Sequence, residues 1–386
     1  MHSLASDLRN GRTAPGSDAS PALTIGIDAR AAAEVAGGRG RFVRELLRAL
    51  AARPDAHRYI LYARQQWLDG DLDERFSWRL VDAADPWWHL ASARRANREC
   101  DVFLSTNSYL TLWFLRIPGV PVVYDMTTFE RSMRPNRRSA VIERATLGHA
   151  VRRSSAILAI SHATAARLAE RFPRAAALTT VAPLGVTTLE NDEPADAKNG
   201  AAQNLPKTGF VLAVGTLEPR KNLPRLVDAY ARLPESLQAQ HPLVVVGAHG
   251  WETGETLEAL RSLGERSLLL GSVSDAALAE LYRRCALFCY PSLGEGFGLP
   301  VLEAMASGAA VITSNNSSLP EVGGDAVEYV DPFDVASITA TLRALLESPS
   351  RREALGELAR ERARPSTWRR TAEITVRALE RAAGGG

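Results

Sequence analysis

Short apolar runs, too brief for helices, alternate with amphipathic segments of helical length along almost the whole chain. A buried strand, an amphipathic helix and a second buried strand make a βαβ unit. Its right-handed crossover produces a parallel sheet with helices on both faces. In the first half the runs are Leu23–Asp28, Tyr59–Ala63, Asp101–Ser105, Val120–Asp125, Ala156–Ser161 and Thr179–Leu184. In the second half they are Phe210–Gly215, Leu243–Gly247, Ser267–Leu270, Ala286–Tyr290, Ala309–Thr313 and Val327–Val330, with helices expected at Pro224–Arg232 and Ala276–Arg284. Two such successions predict an α/β protein with two Rossmann-like, doubly wound parallel sheets.

At 386 residues the chain exceeds one ordinary core. Residues 1–22 are polar, lack the apolar stretch of a secretory signal and are expected to form a disordered lead-in. The first domain is assigned to 23–186 and the second to 209–364. Between them 187–208 carries Glu190, Asp192, Glu193 and Asp196 without apolar periodicity, the pattern of a linker. Residues 365–386 form an amphipathic helix with Trp368 that is expected to pack back on the first domain.

A net charge of +2 argues against a nucleic-acid binder, which needs a dominant basic face. The cysteines, Cys100, Cys285 and Cys289, are too few for a disulfide framework or a zinc site and read as buried small hydrophobes. No run reaches the roughly 20 apolar residues of a membrane helix, so a cytoplasmic location is expected. Between Phe129 and Arg153 lie Arg131, Arg134, Arg137, Arg138, Arg144, Arg152 and Arg153, against Glu130 and Glu143. That stretch is either a solvated helix face or a surface for peripheral contact with anionic lipid at the inner face of a membrane.

Ligands of open α/β sheets bind beyond the carboxyl ends of the strands. Three motifs fall there. After the first strand, Ala36 to Phe42 reads Ala-Gly-Gly-Arg-Gly-Arg-Phe and enters a helix; glycines and free N–H groups at a helix start suit a diphosphate, and a purely structural turn is the alternative. After the first strand of the second half, Arg220 and Lys221 stand at the mouth of the sheet, where two cations can neutralise a departing diphosphate. The third motif runs from Pro291 to Gly308, a glycine-rich loop feeding a short helix. It delivers Glu295 on the loop and Glu303, expected in the first helical turn, to one cleft. Carboxylates at such positions suit bidentate acceptance from vicinal hydroxyls.

Glu295 and Glu303, with Gly-Phe-Gly-Leu-Pro between them, resemble the E-x7-E signature of glycosyltransferase family 4. Gly215–Asn222, Gly271–Asp275, Tyr282–Cys285, Ser317–Glu321 and Trp368–Thr371 follow in family order. The resemblance is strong over 209–372 and looser over 23–186. It implies the GT-B fold, two Rossmann-like domains facing across a cleft, and a retaining transferase needing no metal or other cofactor. Its donor would be a nucleotide sugar, a GDP-sugar before a UDP-sugar, and its acceptor a glycan or lipid-linked sugar in polysaccharide synthesis.

Carried over by position, Glu303 would hold the ribose and Glu295 the donor sugar, with Lys221 and Arg220 on the diphosphate. Gly38 and Gly40 would face it from the other domain. Ser272 and Val273 would read the base through their backbone, and Leu299 and Pro300 would lie near the phosphates. Thr216, Phe297 and Gly298 complete the donor side. Asp125 joins the catalytic group, and Tyr124 and Ser161 lie toward the acceptor. Two departures stand out: Thr216 replaces an arginine common in relatives, and Tyr124-Asp125-Met126 replaces His-Asp-Leu. Competing readings are a non-catalytic nucleotide-sugar-binding protein and a sugar-nucleotide 2-epimerase.

Overall fold

The computed structural model describes residues 21–35, 37–129, 137–187, 209–250 and 253–385. The expected lead-in up to residue 20, the linker from 188 to 208, and Arg131 and Arg134 of the basic stretch lie outside the described residues.

Among the described residues the first sheet has seven strands: β1 (Thr24–Asp28), β2 (Arg58–Ala63), β3 (Phe76–Leu80), β4 (Val102–Ser105), β5 (Gly119–Val123), β6 (Ile157–Ala159) and β7 (Thr179–Val181). Their order is β3-β2-β1-β4-β5-β6-β7. The second has β8 (Val211–Val214), β9 (Leu243–Val246), β10 (Ser267–Gly271), β11 (Leu287–Tyr290), β12 (Val311–Ser314) and β13 (Glu328–Val330), in the order β10-β9-β8-β11-β12-β13. Every pairing between these strands is parallel. Interior strands such as β8 and β11 are buried along most of their length, which is why they read as apolar runs. The sequence reading missed β3. It is the outer edge strand, Phe-Ser-Trp-Arg-Leu, half-buried for four residues and exposed at the last, so no buried run marks it.

In each sheet the strand order reverses at one point, between β1 and β4 and between β8 and β11, and the loops leaving these strands meet. A Cβ on Gly296, after β11, would lie 2.0 Å from the carbonyl oxygen of Tyr124, after β5. Thr164 Oγ1 donates to the Gly296 carbonyl at 3.2 Å. Glu321 of the second domain accepts from the backbone N–H groups of His162, at 3.0 and 2.9 Å, and of Ala163, at 3.3 Å. It thereby caps the helix His162–Arg171 of the first domain. The two sheets therefore face each other by their carboxyl ends.

The helix Trp368–Gly384 lies against the first domain, on the helix Gly38–Ala51 and on strands β4 to β7. Trp368, Thr371, Ala372, Thr375, Val376 and Leu379 form its buried stripe at helical spacing. Thr371 Oγ1 donates to the Pro183 carbonyl at 2.6 Å, and a Cβ on Gly185 would lie 2.1 Å from the Trp368 nitrogen.

The helix Gly38–Ala51 starts from Gly37 with no side-chain cap. Nothing lies within 4 Å of a Cβ built on Gly37 or Gly38, whereas one on Gly40 would sit 1.6 Å from the Val35 carbonyl oxygen. Space beside the helix start thus exists at Gly38, while Gly40 is required by the preceding turn. Gly40→Ala is expected to destabilise the fold by about 1–3 kcal/mol or more, and Gly38→Ala to stay within about 1 kcal/mol of wild type. Urea unfolding of the two variants checks this; equal stabilities would refute it.

Candidate functional site

Glu295 is the centre of the second domain's mouth, its side chain 8% exposed. Its Oε1 accepts from Lys221 Nζ at 2.8 Å, Tyr290 OH at 2.7 Å and Ser292 Oγ at 2.7 Å, and its Oε2 is paired with Arg220. Burial alone would raise the carboxyl's pKa, but Arg220 and Lys221 outweigh it and hold the group at about 2. Burial keeps the Tyr290 hydroxyl protonated far above its ordinary range, so it donates. A second Arg220 nitrogen reaches Glu218 at 2.5 Å.

The local backbone explains this convergence. Beyond β8 the turn Pro219–Lys221 ends at Asn222, which adopts the left-handed region at φ 59°. The buried Asn222 amide donates to the carbonyls of Pro291 at 2.9 Å and Pro332 at 2.7 Å. The Leu293 N–H and the Ser292 hydroxyl bind the Arg220 carbonyl at 2.8 and 3.0 Å. The Glu295 N–H donates to Ser317 Oγ at 3.0 Å. Loops following β8, β11 and β12 are thereby locked into one surface.

Glu303 lies in the helix Leu299–Ala306. It is the fifth residue, so it stands in the second turn and not the first, and favourable placement at the helix dipole does not account for it. Its Oε2 accepts from Tyr282 OH at 3.1 Å, and its Oε1 is paired with Arg41, which comes from the first domain and also lies 3.3 Å from Asp275. Burial raises the Glu303 pKa to about 7, against the opposing pull of Arg41 and Tyr282. Beside it a cavity of 530 Å³ opens between the domains, lined by Arg41, Asp275, Leu278, Tyr282, Glu303 and Trp368 among others.

The remaining candidates are distributed around this wall. Leu299 and Pro300 are the first residues of the Glu303 helix, and Phe297 is buried before them. Gly298 has φ 107°, and a Cβ there would meet Leu319 at 2.7 Å. Thr216 is exposed on the loop after β8. Ser272 and Val273 follow β10, exposed and half-buried respectively, ahead of the helix Asp275–Arg284. Asp125 accepts from the Thr127 N–H at 2.9 Å and its hydroxyl at 2.5 Å. The Tyr124 hydroxyl is buried without a hydrogen-bond partner, and its ring meets Phe42 edge-on at 5.4 Å. Ser161 is fully buried and accepts from the Thr164 N–H at 3.0 Å, so its hydroxyl caps a helix.

Sequence reasoning assigned no role to Arg41, Tyr282, Tyr290, Ser292 or Glu321. Arg41 stood inside the quoted glycine-rich motif, but nothing in spacing reveals that it crosses to Glu303. Farther along the first sheet's edge, buried Arg30 pairs with Asp28 at 2.8 Å and stacks over Trp88 at 3.7 Å. In the basic stretch, Arg144 packs over Phe129 at 5.2 Å and Arg153 donates to the Leu115 carbonyl at 3.4 Å. Among the described residues no group of three His, Cys, Asp or Glu is arranged to hold a metal ion.

Residues 196–362 match the family model described as glycosyl transferases group 1, and residues 36–189 match that of glycosyltransferase family 4. The chain is 41% identical over 175 residues to the O-antigen chain mannosyltransferase B of Escherichia coli, covering 45% of this chain and 46% of that protein. It is 33% identical over 233 residues to the MMP alpha-(1->4)-mannosyltransferase of Mycolicibacterium hassiacum, covering 58% and 54%. The chain thus spans about half the length of these curated relatives. Among solved structures, the Anabaena protein Alr3699/HepE in complex with UDP-glucose superposes with a TM-score of 0.73 at 17% identity, covering 92% of this chain and 99% of that one. WaaG, a glycosyltransferase involved in lipopolysaccharide biosynthesis, gives 0.69 at 18%, again covering 92% and 99%. At such identities the likeness concerns the fold, which is the expected GT-B arrangement.

Asn222→Ala would leave two buried carbonyls without donors and is expected to cost about 2 kcal/mol or more in urea unfolding. An unchanged midpoint would show that the loops are held by other means.

Proposed function

Because the chain belongs to glycosyltransferase family 4, the group 1 glycosyl transferases, we propose that it is a retaining, metal-independent hexosyltransferase acting on a nucleoside-diphosphate sugar. The observation that carries this reading is Glu295, fixed between Lys221 and Arg220, with its neighbour Gly296 packed against the Tyr124–Asp125 loop of the first domain. Mannose is the proposed sugar, supported by the names of the mannosyltransferase relatives, and GDP is the proposed carrier. The acceptor is a glycan or lipid-linked sugar in cell-surface polysaccharide synthesis, approached from the first domain. Among the described residues no helix is long and apolar enough to cross a membrane. Peripheral contact through the helix Arg137–Arg153 is the proposed route to a lipid-linked acceptor.

In this mechanism Glu303 accepts from the ribose hydroxyls and Glu295 from hydroxyls of the donor sugar. The backbone at Ser272 and Val273 meets the base. The bond from the anomeric carbon to the diphosphate oxygen breaks as Lys221, Arg220 and the N–H groups near Leu299 stabilise the departing charge. The acceptor oxygen bonds to the same face of the anomeric carbon, and its proton passes to the departing phosphate oxygen. Asp125, Tyr124 and the Ser161-capped helix border the acceptor.

The test is transfer from GDP-mannose in the presence of EDTA. Wild type is expected to turn over undiminished, and Lys221→Ala to lose about 10²–10³-fold in kcat. No hydrolysis or transfer from GDP-, UDP- or ADP-sugars would refute the reading.

Glu303 adds a pH signature. A carboxyl titrating at about 7 is ionised above that pH and protonated below it. GDP-mannose affinity is therefore expected to be level above pH 8 and about tenfold weaker at pH 6, with Glu303→Gln weak and flat throughout. Calorimetry across that range checks this; a level wild-type profile would remove Glu303 from the site.

A further inference from the structure

The positive charges at the mouth of the second sheet are already matched. Arg220 and Lys221 stand against Glu218 and Glu295, two cations against two carboxylates. Arg41 is likewise taken by Glu303 and Asp275. Thr216, exposed on the same loop as Arg220, adds no charge. A diphosphate entering here meets good hydrogen-bond donors but no net positive field, and it gains further negative charge as it departs.

Arg39 is the exception. It is exposed in the first turn of the helix Gly38–Ala51 and makes no hydrogen bond or ion pair with any described residue. Its guanidinium lies 5.4 Å over the Tyr124 ring. Partial removal from water works against the Arg39 charge, and it works against that of Arg220 too; Glu143 and Asp125 favour the Arg39 charge without pairing with it, and Asp125 also favours that of Arg220. The helix start is unfavourable for a cation, because the backbone dipole is positive there. Uncapped Gly37 and the open space beside Gly37 and Gly38 leave room for an anion at that end.

We infer that Arg39, which forms no ion pair with any described residue, is the first-domain cation that receives the donor's departing diphosphate. This rests on the proposed function and deepens it: the second domain holds the donor in a charge-balanced cradle, and the first brings the charge that favours departure.

The experiment is calorimetric binding of GDP and GMP, and of UDP and UMP, to wild type, Arg39→Ala and Arg39→Lys, with kcat for GDP-mannose. Arg39→Ala is expected to weaken diphosphate binding about tenfold, to leave monophosphate binding within about twofold, and to lower kcat about 10²-fold, with Arg39→Lys recovering most of each. Adding Thr216→Arg to Arg39→Ala is expected to restore at least tenfold in kcat by returning the charge from the opposite wall. Wild-type diphosphate binding with no change in Arg39→Ala, or with equal loss of mono- and diphosphate affinity, overturns the role of Arg39 alone. Wild type binding none of these nucleotides overturns the functional reading and this role with it. Melting temperatures of the variants identify a folding defect, and in that case the Arg39→Lys comparison decides.

Discussion

A single buried carboxylate sets the geometry of the cleft. Glu295 remains charged away from bulk water only because two cations and two hydroxyls close around it. Leaving any of these partners without it would strand charge in a low-dielectric pocket, which is far costlier than the small net gain of forming the cluster. The loops after β8 and β11 are therefore not independent. Each presents its functional groups in the one arrangement that satisfies the other, and Asn222 and Ser317 hold the backbone to match.

The second carboxylate is compensated differently. Glu303 takes its cation from the opposite domain, so its charge and the approach of the two sheets are coupled. Where Glu295 is held well below neutrality, Glu303 titrates near it, because one arginine and one phenol do less against burial than an arginine and a lysine. Two glutamates of one short motif thus have different duties: one is a permanent anion within a fixed wall, the other a group whose state depends on what stands opposite.

Much of this was legible in the sequence. Buried parallel strands produce apolar runs, and residues just past those runs fall at the carboxyl edge, as Lys221, Arg220, Glu295 and Tyr124 do. The edge strand β3 escaped because it is covered too little to be apolar. The position of Glu303 was placed one turn early because the glycine-rich loop hides where the helix starts; it starts at Leu299. Gly40 looked like part of an anion loop, but the Val35 carbonyl explains it. Tyr290 and Tyr282 read only as apolar filling of a strand and a helix, since their hydroxyls acquire meaning from carboxylates elsewhere in the chain. Contacts across the cleft, such as Arg41 with Glu303 and Glu321 with the helix at His162, depend on the docking of two sheets and leave no periodicity in either.

The returning helix Trp368–Gly384 also bears on how the protein is made. It packs on strands β4 to β7, which are synthesised long before it, so that part of their surface lacks its cover while the entire second sheet emerges from the ribosome. Domains ordinarily mature from the amino end onward as they are synthesised. Here the first domain cannot complete its packing until a segment encoded after its neighbour is available. A chain ending just before Trp368 would carry every strand of the second sheet and a first domain still lacking its last helix.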